Sequence, residues 1–329
     1  MIITRTPFRV TLGGGGTDLP SYYSKYGGFI FSVGIDKYMF VSVNRPVTDD
    51  LIRLKYSRSE TVESLNEVQH EIAREALRLT GVDKNIEISS MADIAAGTGL
   101  GSSSCYAVGL LNALHALKRE RVGLAELAEE DFRIEAEVLK RPIGKQDPYL
   151  AAFGGLTVLD IAKDGSVKMR KANVAPEIAD ELNRNLLLFF TGKTRSADDI
   201  LSEQSKGMKE EKKEVVDSMN YIKELGYEIL EAVEEGDVDE VGRKFHAHWQ
   251  HKKKISSKMT SPEFDKIYDT ALKNGALGGK ISGAGGGGFF SFYVPAINQR
   301  KFREGMREFG LREMRYRFDS EGSKVIADF

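Results

Sequence analysis

The sequence predicts an α+β fold in two domains, and three observations predict it. Strand-like and helix-like stretches alternate along the chain in an order that suits mostly antiparallel sheets. The 329 residues exceed what one hydrophobic core usually organises. Hydrophobic residues reach 41% and charged residues 29%, which gives ample core and excludes a disordered chain.

The elements follow in order. Residues 1–5 and 8–12 read as strand, then 29–43 and 51–56, rich in β-branched and aromatic residues and bounded by Gly, Pro, Asn or Asp. Val62, Leu65, Val68, Ile72, Ala76 and Leu79 recur at three- and four-residue steps, which predicts a helix over 61–79 ended by Gly81. A strand over 86–90 feeds a glycine-rich loop and an apolar helical run over 105–117. A helical pattern over 126–139 is closed by Pro142, and 149–159 reads as the last strand of this half. The domain boundary is expected within 160–174. Beyond it come a strand (186–190), helical regions (197–235 and 238–258), a helix (262–274), strands (280–282 and 289–294), a helix (296–309) and a final strand (324–328).

Charge and composition narrow the function. A net charge of −2 gives no electrostatic reason to bind nucleic acid. No apolar span approaches the roughly 20 residues of a membrane helix. The N-terminus shows no basic leader before an apolar core, so the cytoplasm is the expected location. The single cysteine, Cys105, forms no internal disulfide. A small-molecule partner is expected, and a homodimer stays open.

Glycine is concentrated in three places. Gly97-Thr98-Gly99-Leu100-Gly101-Ser102-Ser103-Ser104 sits where the apolar helical run begins. Such a junction suits an anion, because glycine admits close backbone approach and a helix start offers unpaired N–H donors and partial positive charge. A nucleotide phosphate is the obvious candidate. Gly13 to Gly16, leading into Thr17-Asp18, costs more conformational entropy than a plain turn justifies, which points to a ligand approached by backbone. Ser282-Gly283-Ala284-Gly285-Gly286-Gly287-Gly288 contains a G-x-G-x-x-G pattern, but the β-prone residues 289–294 follow it, where a dinucleotide fold needs a helix. Gly192-Lys193-Thr194 lacks the leading glycine of a P-loop, since Leu187 stands there.

Taken in order, these clusters resemble the motifs of the GHMP kinases, which include galactokinase, homoserine kinase, mevalonate kinase and phosphomevalonate kinase. Thr6 to Leu12 with Gly13–Gly16 and Thr17-Asp18 resembles the first motif, Gly97 to Ser104 the second, and Lys280 to Gly288 the third. The resemblance spans nearly the whole chain. It implies an N-terminal domain like ribosomal protein S5 domain 2 over residues 1–165, a ferredoxin-like C-terminal domain over 166–329, and an active site between them. Glycines stand where galactokinase has Gly-Glu-His, which disfavours galactose. Gly13 to Tyr23, together with residues 142–147, 190–197 and 248–253, resembles the heptose 7-phosphate kinase branch, with fucokinase-like sugar 1-kinases as neighbours.

The resemblance also implies roles. Asp147 would accept the proton of the anomeric hydroxyl, with Arg9 beside it holding it ionised. Gly97, Gly99, Leu100, Gly101, Ser102, Ser103 and Ser104 would cradle ATP. Ser103 and Glu135 would hold Mg2+, with Glu137 as a competitor. Gly15, Gly16, Thr17, Asp18 and Gly285 would contact the sugar. Arg195 is the first choice for the acceptor's own phosphate, and Lys252 and Lys253 the second. His246, His248 and His251 lack an acidic or cysteine partner for a metal site and read as packing or sugar contact. The implied activity is an ATP-dependent sugar 1-kinase acting on a heptose 7-phosphate. A fucokinase-like or other sugar 1-kinase and a catalytically silent nucleotide or sugar sensor are the alternatives.

Overall fold

A computed structural model describes the chain apart from residues 195, 196 and 257, and apart from the side chains of 197–199. The N-terminal half runs β1 (Ile2–Gly13), α1 (Pro20–Tyr26), β2 (Gly28–Asn44), β3 (Ile52–Lys55), β4 (Ser59–Val62), α2 (Glu71–Thr80) and β5 (Ile86–Ala92), then α3 (Ser102–Leu117), α4 (Leu124–Phe132), α5 (Gln146–Phe153), β6 (Leu156–Ile161) and β7 (Val167–Lys171). The rest is α6 (Pro176–Asn185), β8 (Leu186–Phe190), α7 (Ala197–Lys209), α8 (Lys213–Glu235), α9 (Val238–Lys252), α10 (Pro262–Lys273), β9 (Gly278–Ile281), β10 (Phe289–Tyr293), α11 (Gln299–Met306), β11 (Arg312–Met314) and β12 (Lys324–Asp328).

Two sheets result, as an α+β chain requires. The first has the order β12-β1-β2-β5-β3-β4, with β6 joining β2 and β7 joining β6. The 17-residue β2 serves two neighbours on the edge away from β1, pairing residues 28–33 with β6 and residues 39–44 with β5. The second sheet is antiparallel, in the order β11-β8-β10-β9. Helix α3 is buried nearly all round, packing on β1 and β2, because its residues from Cys105 to Leu114 are almost entirely apolar.

Three expectations change on the structure. Over 61–79, the residues up to Val62 are strand, and the helix starts only at Glu71 behind the cap His70, whose Nδ1 accepts from Ala73 N. The three- and four-residue spacing of Val62, Leu65 and Val68 fits a strand end and a short turn as well as a helix. Over 149–159, residues up to Phe153 are helical, and Gly154 (φ 55°) breaks the chain before β6. Pro148 lies in the first turn of α5, where its missing N–H costs nothing. Finally, β7 pairs with β6 and β12 with β1, Ile2 opposite Asp328, so a split at 165/166 leaves two strands of the first sheet on the far side.

Candidate active site

A cleft of about 750 Å³ opens between the sheets, lined by Arg9, Asp18, Ser103, Glu135 and Asp147 from the first half and by Lys252 and Lys280 from the second. Its floor is the loop before α3. Gly97, Gly99 and Gly101 take φ of 76°, 80° and 87°, the left-handed region where a side chain is strained. Gly101 is the N-cap of the 16-residue α3, so the N–H groups of its first turn, from Ser102, have no intrahelical partner. Leu100, expected to touch ATP, is fully buried and does not line the cleft, and its carbonyl accepts from Arg9 N at 3.2 Å.

The third glycine cluster lies directly on this loop. A Cβ on Gly99 would stand 2.6 Å from Ser282 O, one on Gly283 2.7 Å from Gly99 Cα, and one on Gly288 2.1 Å from Thr98 O. Its glycines therefore let two backbones touch. Gly285 packs against Met259 instead, 2.2 Å from its sulfur to a built Cβ, and is not among the cleft-lining residues.

Arg9 and Asp147 form the centre. Arg9, 3% exposed, donates from Nε at 2.7 Å and approaches through Nη2 at 2.6 Å, both to Asp147 Oδ1, while its Nη1 donates to Gly99 O at 2.7 Å. Gln146 Nε2 adds a third bond to Oδ1 at 3.0 Å. None of these bonds uses Oδ2. One carboxylate oxygen is thus locked and tied to the glycine loop, while the residue itself lines the cleft.

Asp18 joins the first glycine loop to the same segment. It is 6% exposed, and its Oδ2 accepts from Gln146 N at 2.9 Å. Burial, helped by the charge of Asp147, pushes its carboxyl up to about 6 against the pull of the Gln146 N–H and Arg9. Gly15 and Gly16 line the cleft beside it. Thr17 does not, because its hydroxyl is spent inside the turn on the carbonyl oxygens of Gly14 and Phe29 at 2.8 and 2.7 Å.

The Asp18 shift has a sign that can be tested. The folded chain holds a proton on this group between pH 3.8 and about 6 that the unfolded chain releases. Its contribution is therefore complete below 3.8 and lost as pH rises through 6, a swing of about 3 kcal/mol. Asp18→Asn is expected to stabilise the fold at pH 7 and not at pH 4, read by urea unfolding. It should also remove a limb of kcat/KM that rises through pH 6. An unchanged limb would assign that titration elsewhere.

Glu135 is fully buried, its Oε1 accepting from Ser104 Oγ at 3.1 Å and its Oε2 3.0 Å from Arg141, which also pairs with Glu71 at 2.9 Å. Burial raises its pKa, and Arg141, Ser103 and Ser104 oppose the rise. A π-helical turn over Arg133–Val138 continues α4 and carries Glu135 inward, while Glu137 is exposed. One turn earlier lies Asp131, 0% exposed, with no hydrogen-bond partner on either carboxyl oxygen among the described residues. Burial, followed by the charge of Glu135, pushes the Asp131 carboxyl well up. The sequence reading missed Asp131; its spacing of four from Glu135 was the only signal.

At the other end of the cleft, Tyr56, His70 and Tyr106 form an aromatic wall, with ring centres 4.7 Å apart from Tyr56 to His70 and 4.7 Å from His70 to Tyr106. Arg195 lies outside the described residues. The histidines scatter: His246 meets the Tyr268 hydroxyl at 2.9 Å, His251 stacks on Tyr221, and His248 is buried in the cleft wall. Among the described residues no helix is long and apolar enough to cross a membrane.

Comparison with known proteins agrees with this geometry. Residues 62–155 match the model of the GHMP kinases N terminal domain, and residues 229–311 that of GHMP kinases C terminal. The chain is 30% identical to a D-glycero-alpha-D-manno-heptose 7-phosphate kinase of Campylobacter jejuni, covering 98% of each. It is 26% identical to an L-fucokinase/L-fucose-1-P guanylyltransferase of Bacteroides fragilis, over 87% of this chain and 34% of that protein. Among solved structures, a D-glycero-D-manno-heptose 1-phosphate kinase from Bacteroides thetaiotaomicron superposes with a TM-score of 0.83 at 24% identity, covering 100% of both chains. With glycine loops, an Arg–Asp pair at their junction and near full-length similarity all in agreement, the chain belongs to the GHMP kinase family and is a sugar kinase.

Proposed function

We propose that the protein is an ATP-dependent sugar 1-kinase that transfers the γ-phosphoryl group to the anomeric hydroxyl of D-glycero-D-manno-heptose 7-phosphate, giving the 1,7-bisphosphate. The observation that carries this reading is the Arg9–Asp147 pair bonded to Gly99, which joins a proton acceptor to a phosphate loop. The sugar hydroxyl donates its proton to Asp147 Oδ2 as its oxygen bonds to the γ-phosphorus, and the bond to the ADP oxygen breaks. Arg9 orients Asp147 and supplies positive charge at the transfer point. The N–H groups around Gly97 to Ser104 hold the phosphates, the aromatic wall of Tyr56, His70 and Tyr106 takes the base, and Asp18 with the Gly15–Gly16 backbone orients the sugar.

Ser103 and Glu135 suit a magnesium ion, being a hydroxyl and a buried carboxylate, the hard oxygen donors this cation selects. Bound there with ATP, the ion would neutralise phosphate charge. Phosphorus NMR of a reaction with ATP and the heptose 7-phosphate tests the reading. A new anomeric phosphate signal coupled to C1, appearing with ADP, is the expected result. Faster turnover of unphosphorylated L-fucose would move the assignment to a fucokinase.

A further inference from the structure

Three side chains on the acceptor side of the cleft lack a counter-charge. Lys280, 3% exposed in β9, donates to Leu12 O at 2.7 Å and lies 4.5 Å from the centre of the Phe245 ring. Lys252, at the end of α9, donates to the carbonyl oxygens of Ile281 and Gly283 at 3.1 and 2.6 Å. His248, one turn earlier on the same helix, is 1% exposed, and neither ring nitrogen has a partner among the described residues. All three line the cleft. Their neighbours are paired with acids, Arg9 with Asp147 and Lys253 with Asp265 at 3.5 Å, whereas no carboxylate among the described residues pairs with Lys252 or Lys280.

Such an arrangement is electrostatically unfavourable on its own. Desolvation, followed by the charge of Arg9, pushes Lys252 down to about 7, and desolvation with the charges of Lys252 and Arg9 pushes Lys280 well down. His248 is lowered by burial and by both lysines. The carbonyl bonds fix the ammonium groups in place without using all three donors of either. An entering dianion would complete the spare donors and supply the missing charge.

Position decides which anion. Lys280 is anchored on Leu12, next to the run Gly13–Gly16, and Gln204, which also lines the cleft, reaches Gly16 O at 3.4 Å. The nucleotide phosphates have their own cradle before α3. We infer that Lys252, Lys280 and His248 form the subsite for the phosphate monoester carried by the sugar acceptor. This rests on the sugar-phosphate kinase reading above and explains how such a site refuses sugars without the ester, since they leave buried donors unpaired.

The test measures ADP release, with kcat and KM resolved, for D-glycero-D-manno-heptose 7-phosphate, mannose 6-phosphate and their unphosphorylated counterparts. Wild type, Lys252→Met and Lys280→Met are compared. The wild type is expected to prefer the phosphorylated partner of each pair. Each variant should lower that preference, as a ratio of kcat/KM values, by about 10- to 100-fold and mainly through KM. An unchanged ratio with kcat reduced alike for both partners overturns the inference and gives the lysines to the transferred phosphoryl group. A wild-type preference for unphosphorylated sugar overturns it too. The heptose assignment fails separately, when mannose 6-phosphate is the better wild-type substrate while the ratio still falls in the variants. Should Lys280→Met not fold, inorganic phosphate titrated into wild type saturated with a non-hydrolysable ATP analogue gives an independent readout. The His248 imidazole NMR signals, assigned with His248→Gln, are expected to move, and signals that stay still overturn the subsite.

Discussion

Asp147→Asn is expected to lower kcat by about 10²- to 10⁴-fold at saturating ATP and sugar, with KM values changed much less. Asparagine keeps the shape and can still accept from Arg9 and Gln146 through its amide oxygen. What it loses is the ability to take the acceptor proton at the position of Oδ2. The substitution also leaves Arg9, whose side chain is 4% exposed, without its counter-charge. Removing one partner of a buried pair costs about 3–5 kcal/mol, less here because Asp147 is 30% exposed, so the variant should unfold at lower denaturant. The two effects separate by measuring binding of a non-hydrolysable ATP analogue. Analogue affinity close to wild type beside a large fall in kcat assigns the loss to chemistry. A fall in kcat below about tenfold would give Asp147 an orienting role only, with alkoxide formation driven by the phosphates and Arg9.

The parts of this site visible in the sequence share one property: their chemistry is local. Glycines at 97, 99 and 101 announce themselves because each φ is left-handed, and the helix that follows is almost entirely apolar from Cys105 to Leu114. Asp147 and Glu135 were reachable through the resemblance of neighbouring motifs. Other features depend on residues far apart in sequence. That Gly283 and Gly288 exist to let one loop lie on Gly99 and Thr98 cannot be read from their own spacing. Thr17 and Asp18 stand side by side, yet one closes a turn and the other faces the cleft, a difference set by Phe29 and Gln146. Lys280 lay inside the third motif, but its lack of a carboxylate partner appears only once Leu12 and Phe245 are packed around it. The π-turn that carries Glu135 inward leaves no mark on hydrophobic periodicity, because it shifts the helix by a single residue.

That turn sets up the second large effect. Glu135→Ala removes the buried partner of Arg141 and the acceptor of Ser104, and it empties space beside the buried Asp131. A loss of about 3–5 kcal/mol of folding stability is expected, read as a lower urea midpoint at unchanged slope. Stability alone does not establish a role in binding a cation, so Glu135→Gln is the sharper variant. It keeps the volume and can still accept from Ser104, while Arg141 retains Glu71. Only the carboxylate charge is lost. In the proposed reading that charge, with Ser103, would hold magnesium against the phosphates, and its removal should raise the Mg2+ concentration for half-maximal activity about tenfold or more. Mn2+ binding to the complex with a non-hydrolysable ATP analogue, followed by electron paramagnetic resonance, should weaken in parallel. An unchanged cation requirement in a Glu135→Gln protein of lowered stability would make Glu135 a structural anchor for Arg141 and leave the metal to Ser103 and the phosphates. Parallel losses in cation affinity and turnover, at near-normal stability, would instead identify the inward turn of α4 as the device that places a charge where the nucleotide needs one.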